Sequence, residues 1–322
     1  MPRRPSTAAF PDATAIRARV LRGIAGNRVA GLHFPGYFMD MAWPHVASDT
    51  ARLVLADGPH CRDANGTVDI AALAILADTA LATTARTQTA PGARLATLHL
   101  LMQFTGAPAV GDISAHARLL GFSTGGALRR SLSAATLLAD GKPVCHASGE
   151  FAALDPPPGV KLAPLPWQHA QPSHAPPLDA EKLEPHERAI LKACDDALAK
   201  TSPRVSFIQH FWGGVPRRTA DGARNRVAIG PHIGNRVGHV QGGISFGIAA
   251  ACACAAAPAA MMLANASAWY ISPGRGKSLS VSSRLVHAGR TIAVVRTEIK
   301  TSGGERVIEV ITHHVARQSG RS

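Results

Sequence analysis

The sequence predicts an α+β fold of two similar domains, each with a long central helix and several antiparallel strands. An internal repeat supports this, because residues 58–60 and 230–232 both read Gly-Pro-His, and the same spacing of 172 residues relates Gly66 to Gly238. In each copy, a glycine-containing loop precedes an apolar run of helical length, and alternating strand-like segments follow. A chain of 322 residues is long enough for two separate cores.

The elements of the first copy follow from periodicity and turn residues. Residues 13–27 are typical of a basic amphipathic helix, residues 36–41 of a connection, and residues 50–55 of a strand that enters the Gly-Pro turn. The central helix is predicted from Ile70 to Thr84. Strands are then predicted in an antiparallel meander over residues 98–104, 113–120, 131–138 and 144–154.

A proline-rich segment separates the two copies. Eight prolines fall between residues 155 and 180, a density that helix interiors and central strands do not tolerate. We therefore predict an N-terminal domain over residues 13–155, a semi-extended linker over 156–180 and a C-terminal domain over 181–317.

The second copy repeats the plan of the first. A charged amphipathic helix is predicted over 180–200, a strand over 226–229, a loop over 230–241 and a central helix from 242 to about 263. The remaining strands are predicted over residues 267–271, 277–287, 291–301 and 306–316. Both halves thus place a strand and a loop before the central helix and the other strands after it.

The formal charge of +13 is compatible with nucleic acid, an anionic surface or a polyanionic small molecule. The cations are dispersed, aromatic residues make up only 5% of the chain, and no nucleic-acid motif accompanies them. We therefore expect no nucleic-acid partner. The apolar run from residue 244 to 263 is near membrane-spanning length, but its residues are small and it contains Pro258, so we expect a core helix and no membrane span.

Cysteine usage and the N-terminus favour a cytoplasmic protein. The five cysteines are odd in number and scattered, which is typical of buried thiols in a reducing compartment. The pair Cys252 and Cys254 lacks the second ligand pair of a zinc site, so no metal is expected. No apolar segment typical of a secretory signal precedes the charged residues 17–22.

Asp78 is the one acid in the first central helix. A carboxylate in an apolar helix has a large desolvation cost unless it faces a partner, a cleft or a ligand. The second copy has Ala250 at the corresponding position, but it keeps a glycine pair, Gly242-Gly243, where the first copy has Ile70-Ala71. Each half therefore retains what the other has lost.

The loop before the second central helix reads Asn-Arg-Val-Gly-His-Val-Gln-Gly-Gly. It resembles the loop of PaaI-like (phenylacetate-pathway-like) acyl-CoA thioesterases, Asn-x-x-Gly-x-x-His-Gly-Gly, which an acid follows nine residues after the histidine. Here Asn235, Gly238, Gly242 and Gly243 match, and Gln241 replaces the histidine.

In the first copy, Gly66 matches the loop glycine, whereas Asp63 and Asp69 stand in place of the asparagine and the histidine. Asp78 falls nine residues after Asp69, at the position of the family's acid. The resemblance covers about residues 20–155 and 185–317. It implies two tandem hotdog domains, in each of which an antiparallel sheet wraps a long helix.

The resemblance also implies one composite site between the domains. The amides of Gly242 and Gly243 would bind the thioester oxygen, and Asp78 would act as nucleophile or as general base on water. Free amides at a helix start are independently suited to an oxyanion, because the helix dipole reinforces them. Gln241 would position the substrate, since it donates a hydrogen bond but does not titrate.

Other loop residues are expected to contact or support the substrate. Asn235 would brace the loop, while Gly238, His239 and Arg236 would lie beside the substrate. A basic rim would help to capture the phosphates of CoA. For each of the surface cations considered, namely Arg236, Arg217, Arg218, Arg275 and Lys277, a solvated surface position is the preferred interpretation.

Several residues have structural alternatives. Asp69 is interpreted as an N-cap of the first central helix in preference to a catalytic residue. Two further structural interpretations remain open. In one, Asp78 is a core acid in an ion pair; in the other, the glycine pair forms a tight contact between helices. Residues 33–36 read His-Phe-Pro-Gly, as in hydroxyacyl carrier-protein dehydratases, and are interpreted as a packed loop or a chance match.

The leading hypothesis is therefore an acyl-CoA thioesterase with one working site and no cofactor. The second composite site, which pairs Ile70-Ala71 with Ala250, is expected to be inactive. The alternatives are a non-catalytic acyl-CoA-binding or regulatory protein and, less favoured, an enoyl-CoA hydratase. Acyl-CoA is the expected partner, and the fused unit is a candidate for further homo-oligomerisation.

Overall fold

The structure is a computed structural model. It describes residues 12–29, 31–90, 92–123, 128–155, 158–159, 161–168, 177–213 and 215–317. Much of the predicted linker, including residues 156, 157, 160 and 169–176, lies outside this described part of the chain.

The first half contains the predicted central helix and one more strand than expected. Its elements are α1 (Ala13–Arg28), α2 (Phe34–Phe38), β1 (Ala42–Val46), β2 (Thr50–Leu55), α3 (Ile70–Arg86), β3 (Arg94–Phe104), β4 (Ile113–Phe122), β5 (Arg130–Ala139) and β6 (Lys142–Leu154). The sequence analysis assigned residues 36–41 to a connection. The first three of these residues, 36–38, instead belong to the short helix α2. His33 caps this helix by accepting a hydrogen bond from the amide of Gly36 at 3.1 Å.

The second half repeats this plan. Its elements are α4 (Pro185–Lys200), β7 (Arg217–Thr219), β8 (Gly222–Ala228), α5 (Gly242–Ala256), β9 (Met261–Tyr270), β10 (Ser278–Ala288), β11 (Ile292–Thr301) and β12 (Arg306–Ala316). The prediction that the central helix continues to about residue 263 was wrong. Helix α5 ends at Ala256, before Pro258, and residues 261–263 already belong to β9.

The strands form one antiparallel sheet of twelve among the described residues, in the order β1-β2-β4-β5-β6-β3-β9-β12-β11-β10-β8-β7. The predicted simple meander was wrong in one respect, because β3 pairs with β6 and not with β4. The same arrangement recurs in the second half, where β9 pairs with β12. Strands β3 and β9 pair with each other and join the two halves.

The two central helices pack against each other in a pseudo-symmetric way. A Cβ placed on Gly243 of α5 would lie 2.4 Å from the backbone nitrogen of Ile75 in α3. The contact related to it by 172 residues is equally close, since a Cβ on Gly247 would lie 2.3 Å from the Cβ of Ala71. Small residues therefore allow the helix backbones to approach and bring the start of α5 to the middle of α3.

The loops before the two helices also correspond. Asn235 Oδ1 accepts hydrogen bonds from the amides of Val237 and His239, both at 3.0 Å. In the first copy Asp63 makes the equivalent bonds, at 2.8 Å and 3.1 Å. The repeated glycines have φ values of +81° and +78°, a left-handed conformation that glycine adopts without strain.

The predicted α+β architecture, a long helix wrapped by antiparallel strands and present twice, is confirmed. All five cysteines are free thiols, and Cys254 alone among them is exposed. Across the part of the chain that the structure describes, no helix is both long and apolar enough to cross a bilayer.

Candidate active site

Asp78 lies in the third turn of α3, where the helix faces the start of α5. Its side chain is buried, with an exposure of 7%. Oδ1 accepts a hydrogen bond from the hydroxyl of Thr97 on β3 at 2.8 Å, and Oδ2 accepts one from Nε2 of Gln241 at 3.0 Å. The carboxylate is therefore held by one group from each half of the chain and not by an ion pair.

The pKa of Asp78 is raised to about 6, because burial penalises the charged form. The hydrogen bonds from Thr97 and Gln241 act in the opposite direction, since they stabilise the carboxylate. Asp78 is thus charged at neutral pH but titrates close to it. A buried carboxylate with such a pKa is suited to accept a proton and return it.

The start of α5 supplies hydrogen-bond donors beside this carboxylate. Gln241 is the N-cap of α5, and its Oε1 accepts a hydrogen bond from the amide of Ile244 at 2.9 Å. Gly242 is the first helical residue, and among the described residues no acceptor binds its amide. A Cβ placed on Gly242 would lie 3.1 Å from Oδ2 of Asp78, so the two residues are direct neighbours.

Tyr270 of β9 closes this arrangement on one side. Its hydroxyl donates a hydrogen bond to the carbonyl of Gly242 at 2.9 Å. Its pKa is raised well above the usual value, first by burial and then by the charge of Asp78, so the hydroxyl stays protonated. Tyr270 therefore fixes the first turn of α5 relative to the sheet.

These groups border a cavity of about 390 Å³. Asp78, Gln241 and Gly242 lie in its wall together with Thr97 and Tyr270. The linker also contributes, because Leu162, Leu165 and Trp167 line the cavity, and the ring of Trp167 lies 5.3 Å from that of Trp43. The described part of the linker thus covers the site instead of merely connecting the two halves.

Several solved structures resemble this chain. A protein described as an oleoyl thioesterase from Lactobacillus plantarum has a TM-score of 0.53 and 11% identity, covering 84% of this chain and 98% of that one. A hot dog fold protein from Alicyclobacillus acidocaldarius has a TM-score of 0.49 and 10% identity, covering 87% and 97%. The tesB protein of Mycobacterium avium subspecies paratuberculosis has a TM-score of 0.49 and 13% identity, covering 85% and 95%.

The chain has the double hotdog fold. At these levels of identity the likeness establishes the fold alone, so the chemistry has to be argued from the site. No protein-family model and no curated protein sequence matches the chain.

In this double hotdog, Gly243 has a different environment from Gly242. Gly243 is absent from the cavity wall, and its α-carbon faces the backbone of Ala74 and Ile75 in α3. The alternative interpretation of a tight helix contact therefore describes Gly243, whereas Gly242 is at the cavity. Gly238 also lies outside the cavity wall, in the turn that Asn235 braces.

The other predicted loop residues, Asn235, Arg236 and His239, do line the cavity. Arg236 is half-buried and donates a hydrogen bond to the carbonyl of Ala163 in the linker. The pKa of His239 is lowered by burial and by nearby arginines, so its imidazole is neutral at pH 7. Of the other cations, Arg275 forms an ion pair with Glu305 at 3.5 Å and takes no part in the cavity wall.

Asp69 has the structural role that the sequence favoured. It is the N-cap of α3, and its Oδ1 accepts a hydrogen bond from the amide of Ala71 at 2.8 Å. Burial raises its pKa to about 6.

The position related to Asp78 is Ala250, which is fully buried and has no ionisable group. The double hotdog therefore carries this carboxylate on one side only.

Sequence reasoning missed several residues of the site. Thr97 and Tyr270 lie on strands β3 and β9, and only the pairing of those strands places them beside Asp78 and the start of α5. His33, assigned to a packed loop or a chance match, caps α2 and also lines the cavity. The tryptophans are few in this chain, and their rarity was the one signal that could have drawn attention to Trp43 and Trp167.

Proposed function

We propose that this double hotdog hydrolyses acyl-CoA thioesters to a carboxylic acid and free CoA at a single composite site. The observation that carries the proposal is the buried carboxylate of Asp78 next to Gly242, whose amide is free within the described residues. One group can take a proton from water, and the other can stabilise the oxyanion that forms. Neither half of the chain has both groups.

The reaction follows from these roles. The thioester carbonyl oxygen accepts a hydrogen bond from the amide of Gly242, whose helix dipole favours negative charge there. Asp78 takes a proton from a water molecule as the water oxygen bonds to the carbonyl carbon. When the tetrahedral intermediate collapses, the C–S bond breaks and the protonated Asp78 returns its proton to the thiolate of CoA. Gln241 and Thr97 hold the carboxylate in place throughout.

A second route uses the same carboxylate as a nucleophile. Asp78 would then attack the carbonyl carbon and form a mixed anhydride, which water hydrolyses. A single turnover in ¹⁸O-labelled water detects the second route when water attacks the Asp78 carbonyl of the anhydride, because the acid product then takes its new oxygen from Asp78. We expect label in the acid product of the first turnover, as general-base catalysis requires. An unlabelled first product would show that its new oxygen comes from Asp78.

The proposal has two further supports. The Lactobacillus structure described above carries a thioesterase name, and this likeness in fold supports the proposed chemistry. The loop residues Asn235, Gly238 and Gly242 follow the PaaI-like pattern, and we propose the PaaI-like thioesterases as the family. Gln241 departs from that pattern, so its role is limited to hydrogen bonding.

A panel of acyl-CoAs mixed with the purified protein and a thiol reagent tests the proposal. We expect the release of one free thiol for each acid formed. Tight binding of acyl-CoA without thiol release would instead support a regulatory protein. Loss of the enoyl thioester absorbance without thiol release would indicate a hydratase.

The pH dependence of the reaction should report the titration of Asp78. Because the carboxyl is active as a base only when ionised, kcat/KM is expected to rise with pH through a midpoint of about 6 and then level off. Measurement of kcat/KM from pH 4.5 to 8.5 checks this. A profile that is flat across this range would show that another group is the base.

Thr97→Val should move that midpoint to higher pH. The substitution keeps the shape of the side chain but removes the hydroxyl that donates to Asp78 at 2.8 Å. Because this hydrogen bond lowers the pKa of the carboxyl, its loss raises the pKa and reduces activity at pH 6 more than at pH 8. A uniform decrease at all pH values would mean that Thr97 acts only through packing.

A further inference from the structure

The cavity extends away from Asp78 along one face of α3. Asp78, Ala82 and Arg86 all line it, at intervals of four residues that place them on the same side of the helix. At about 1.5 Å per residue, the backbones of Asp78 and Arg86 are separated by about 12 Å. The cavity therefore has the proposed catalytic carboxylate in one part and a guanidinium in another.

Positive charge is concentrated in this cavity. Arg86, Arg94 and Arg236 line it, whereas Asp78 is the sole carboxylate among the described residues of its wall. None of the three arginines forms an ion pair with a carboxylate of the described residues, although many arginines elsewhere do. The local charge is thus unbalanced in a half-buried place, where charges are expensive to leave uncompensated.

The hydrogen bonds of these arginines leave donor capacity for a ligand. Arg86 donates to the carbonyl of Ala93 at 2.7 Å, and Arg236 donates to that of Ala163. Nε of Arg94 is buried and has no hydrogen-bond partner within the described ranges of the chain. A guanidinium has five N–H donors, so most donors of these three groups are not used by protein carbonyls.

Arg86 lies within electrostatic range of Arg236. Burial, together with a smaller effect of the charge of Arg236, lowers the pKa of Arg86 to about 10. Two guanidinium groups that repel each other in a cavity gain most from an anion that bridges them. A carboxylate is such an anion, because both of its oxygens can accept from the guanidinium fork.

The size and walls of the cavity decide which part of the ligand carries the anion. Its volume of about 390 Å³ lies near the lower end for ligand pockets, which suits an acyl group better than an acyl group together with the CoA nucleotide. Apolar side chains form much of the wall, including Trp43, Leu95, Phe151, Leu154, Leu162 and Trp167. An acyl chain fits these walls, whereas the phosphates of CoA are remote from the sulfur and belong outside.

We infer that the acyl group carries a second carboxylate at its far end and that Arg86, with Arg94 and Arg236, binds that carboxylate. The protein would then act on the CoA monothioesters of dicarboxylic acids. This inference rests on the proposed thioesterase function and names its substrate class. Arg86 is the central residue, since it lies on the same helix face as Asp78.

Matched pairs of substrates test the inference. Adipyl-CoA and hexanoyl-CoA have the same chain length and differ in the terminal carboxylate, as do suberyl-CoA and octanoyl-CoA. We expect kcat/KM to be at least about 10-fold higher for the dicarboxylyl member of at least one pair, the factor that one charge-assisted hydrogen bond provides. Equal values, or a preference for the monocarboxylyl member, in both pairs would overturn the inference.

Arginine variants identify the binding group. In Arg86→Met, the ratio of kcat/KM for the dicarboxylyl member to that for the monocarboxylyl member of the pair that shows the preference should fall about 10-fold to 100-fold. Arg94→Met is a second variant in case the first does not fold. Arg296→Met is the control, since Arg296 pairs with Glu309 at 2.8 Å outside the cavity, and it should leave the ratio unchanged. An equal fall for both substrates would mean that Arg86 binds the CoA moiety, which would contradict the inference.

A binding measurement separates this inference from the proposed function. Asp78→Asn is titrated with both pairs, and the dicarboxylyl member of at least one pair should bind at least about 10-fold more tightly than its monocarboxylyl partner. If no acyl-CoA is hydrolysed by the wild type but this preference is found, the thioesterase proposal fails and the anion site remains. If the monocarboxylyl member of each pair is hydrolysed and bound as well as its dicarboxylyl partner, the anion site fails alone.

Discussion

Asp78→Asn is expected to lower kcat/KM for acyl-CoA hydrolysis by about 10²-fold to 10⁴-fold, the range that a positioned general base contributes. The asparagine amide has nearly the same shape as the carboxylate but cannot take a proton from water. Both present hydrogen-bond partners can be kept, because the hydroxyl of Thr97 accepts as well as donates and Gln241 continues to donate. Initial rates of thiol release at pH 8 measure the effect.

The same substitution should raise stability at neutral pH. The pKa of Asp78 is raised from 3.8 to about 6, so the protonated form is favoured in the folded state. The stability that this proton contributes is present below pH 4 and is lost as pH rises through about 6. Two pKa units correspond to about 3 kcal/mol, an upper limit for the gain from Asp78→Asn at pH 8.

Urea unfolding of the wild type and the variant at pH 4.5 and pH 8 measures this gain. The difference in unfolding free energy between the two proteins should be larger at pH 8. Comparison of the two proteins at each pH cancels the contributions of other titrating groups. A difference that is the same at both values would show that Asp78 is not the titrating residue. Together, reduced activity and increased stability are characteristic of a buried catalytic carboxylate.

Gly243→Ala should destabilise the protein by about 3 kcal/mol, as severe overpacking does. The new Cβ would lie 2.4 Å from the backbone nitrogen of Ile75 and 2.6 Å from the carbonyl carbon of Ala74. Backbone atoms cannot rotate away, so the two central helices must separate. Without this contact, alanine would be favoured over glycine in a helix by about 1 kcal/mol.

Gly303→Ala is the matched control for this prediction. Gly303 lies in the turn between β11 and β12, where the nearest atom to a new Cβ is Oγ1 of Thr301 at 3.6 Å. The unfolding free energy of the Gly303→Ala variant, measured in urea, should stay within about 0.5 kcal/mol of the wild-type value. If Gly243→Ala proved as stable as this control, the close approach of α3 and α5 would not be required for the fold.

Much of the fold could be predicted from the sequence because local patterns agree with it. Helix α3 begins at Ile70 as predicted, since Asp69 is a good N-cap and an apolar run follows. The predicted end of α5 was wrong because the small apolar residues of this helix have no helical period. The start of β9 is also apolar, so the composition does not change clearly where the helix ends. Pro258 was the local signal that marked the boundary.

The residues of the candidate site were likewise predicted only in part. Asp78, Gln241 and Gly242 were predicted together because the spacing of 172 residues aligns the two loops and helices. Thr97 and Tyr270 were missed because strand pairing between distant segments decides where they lie. The cover formed by the linker was missed as well, since a proline-rich segment has no periodic pattern that indicates which face it contacts.

The most direct measurement is thiol release from acyl-CoA by the wild type and by Asp78→Asn as a function of pH. Our account predicts stoichiometric thiol and acid from the wild type, with a half-maximal kcat/KM near pH 6, and a rate from the variant lower by at least about 10²-fold at every pH above that. A folded Asp78→Asn protein that hydrolyses acyl-CoA at the wild-type rate would contradict it, because the carboxylate beside Gly242 would then have no part in the chemistry.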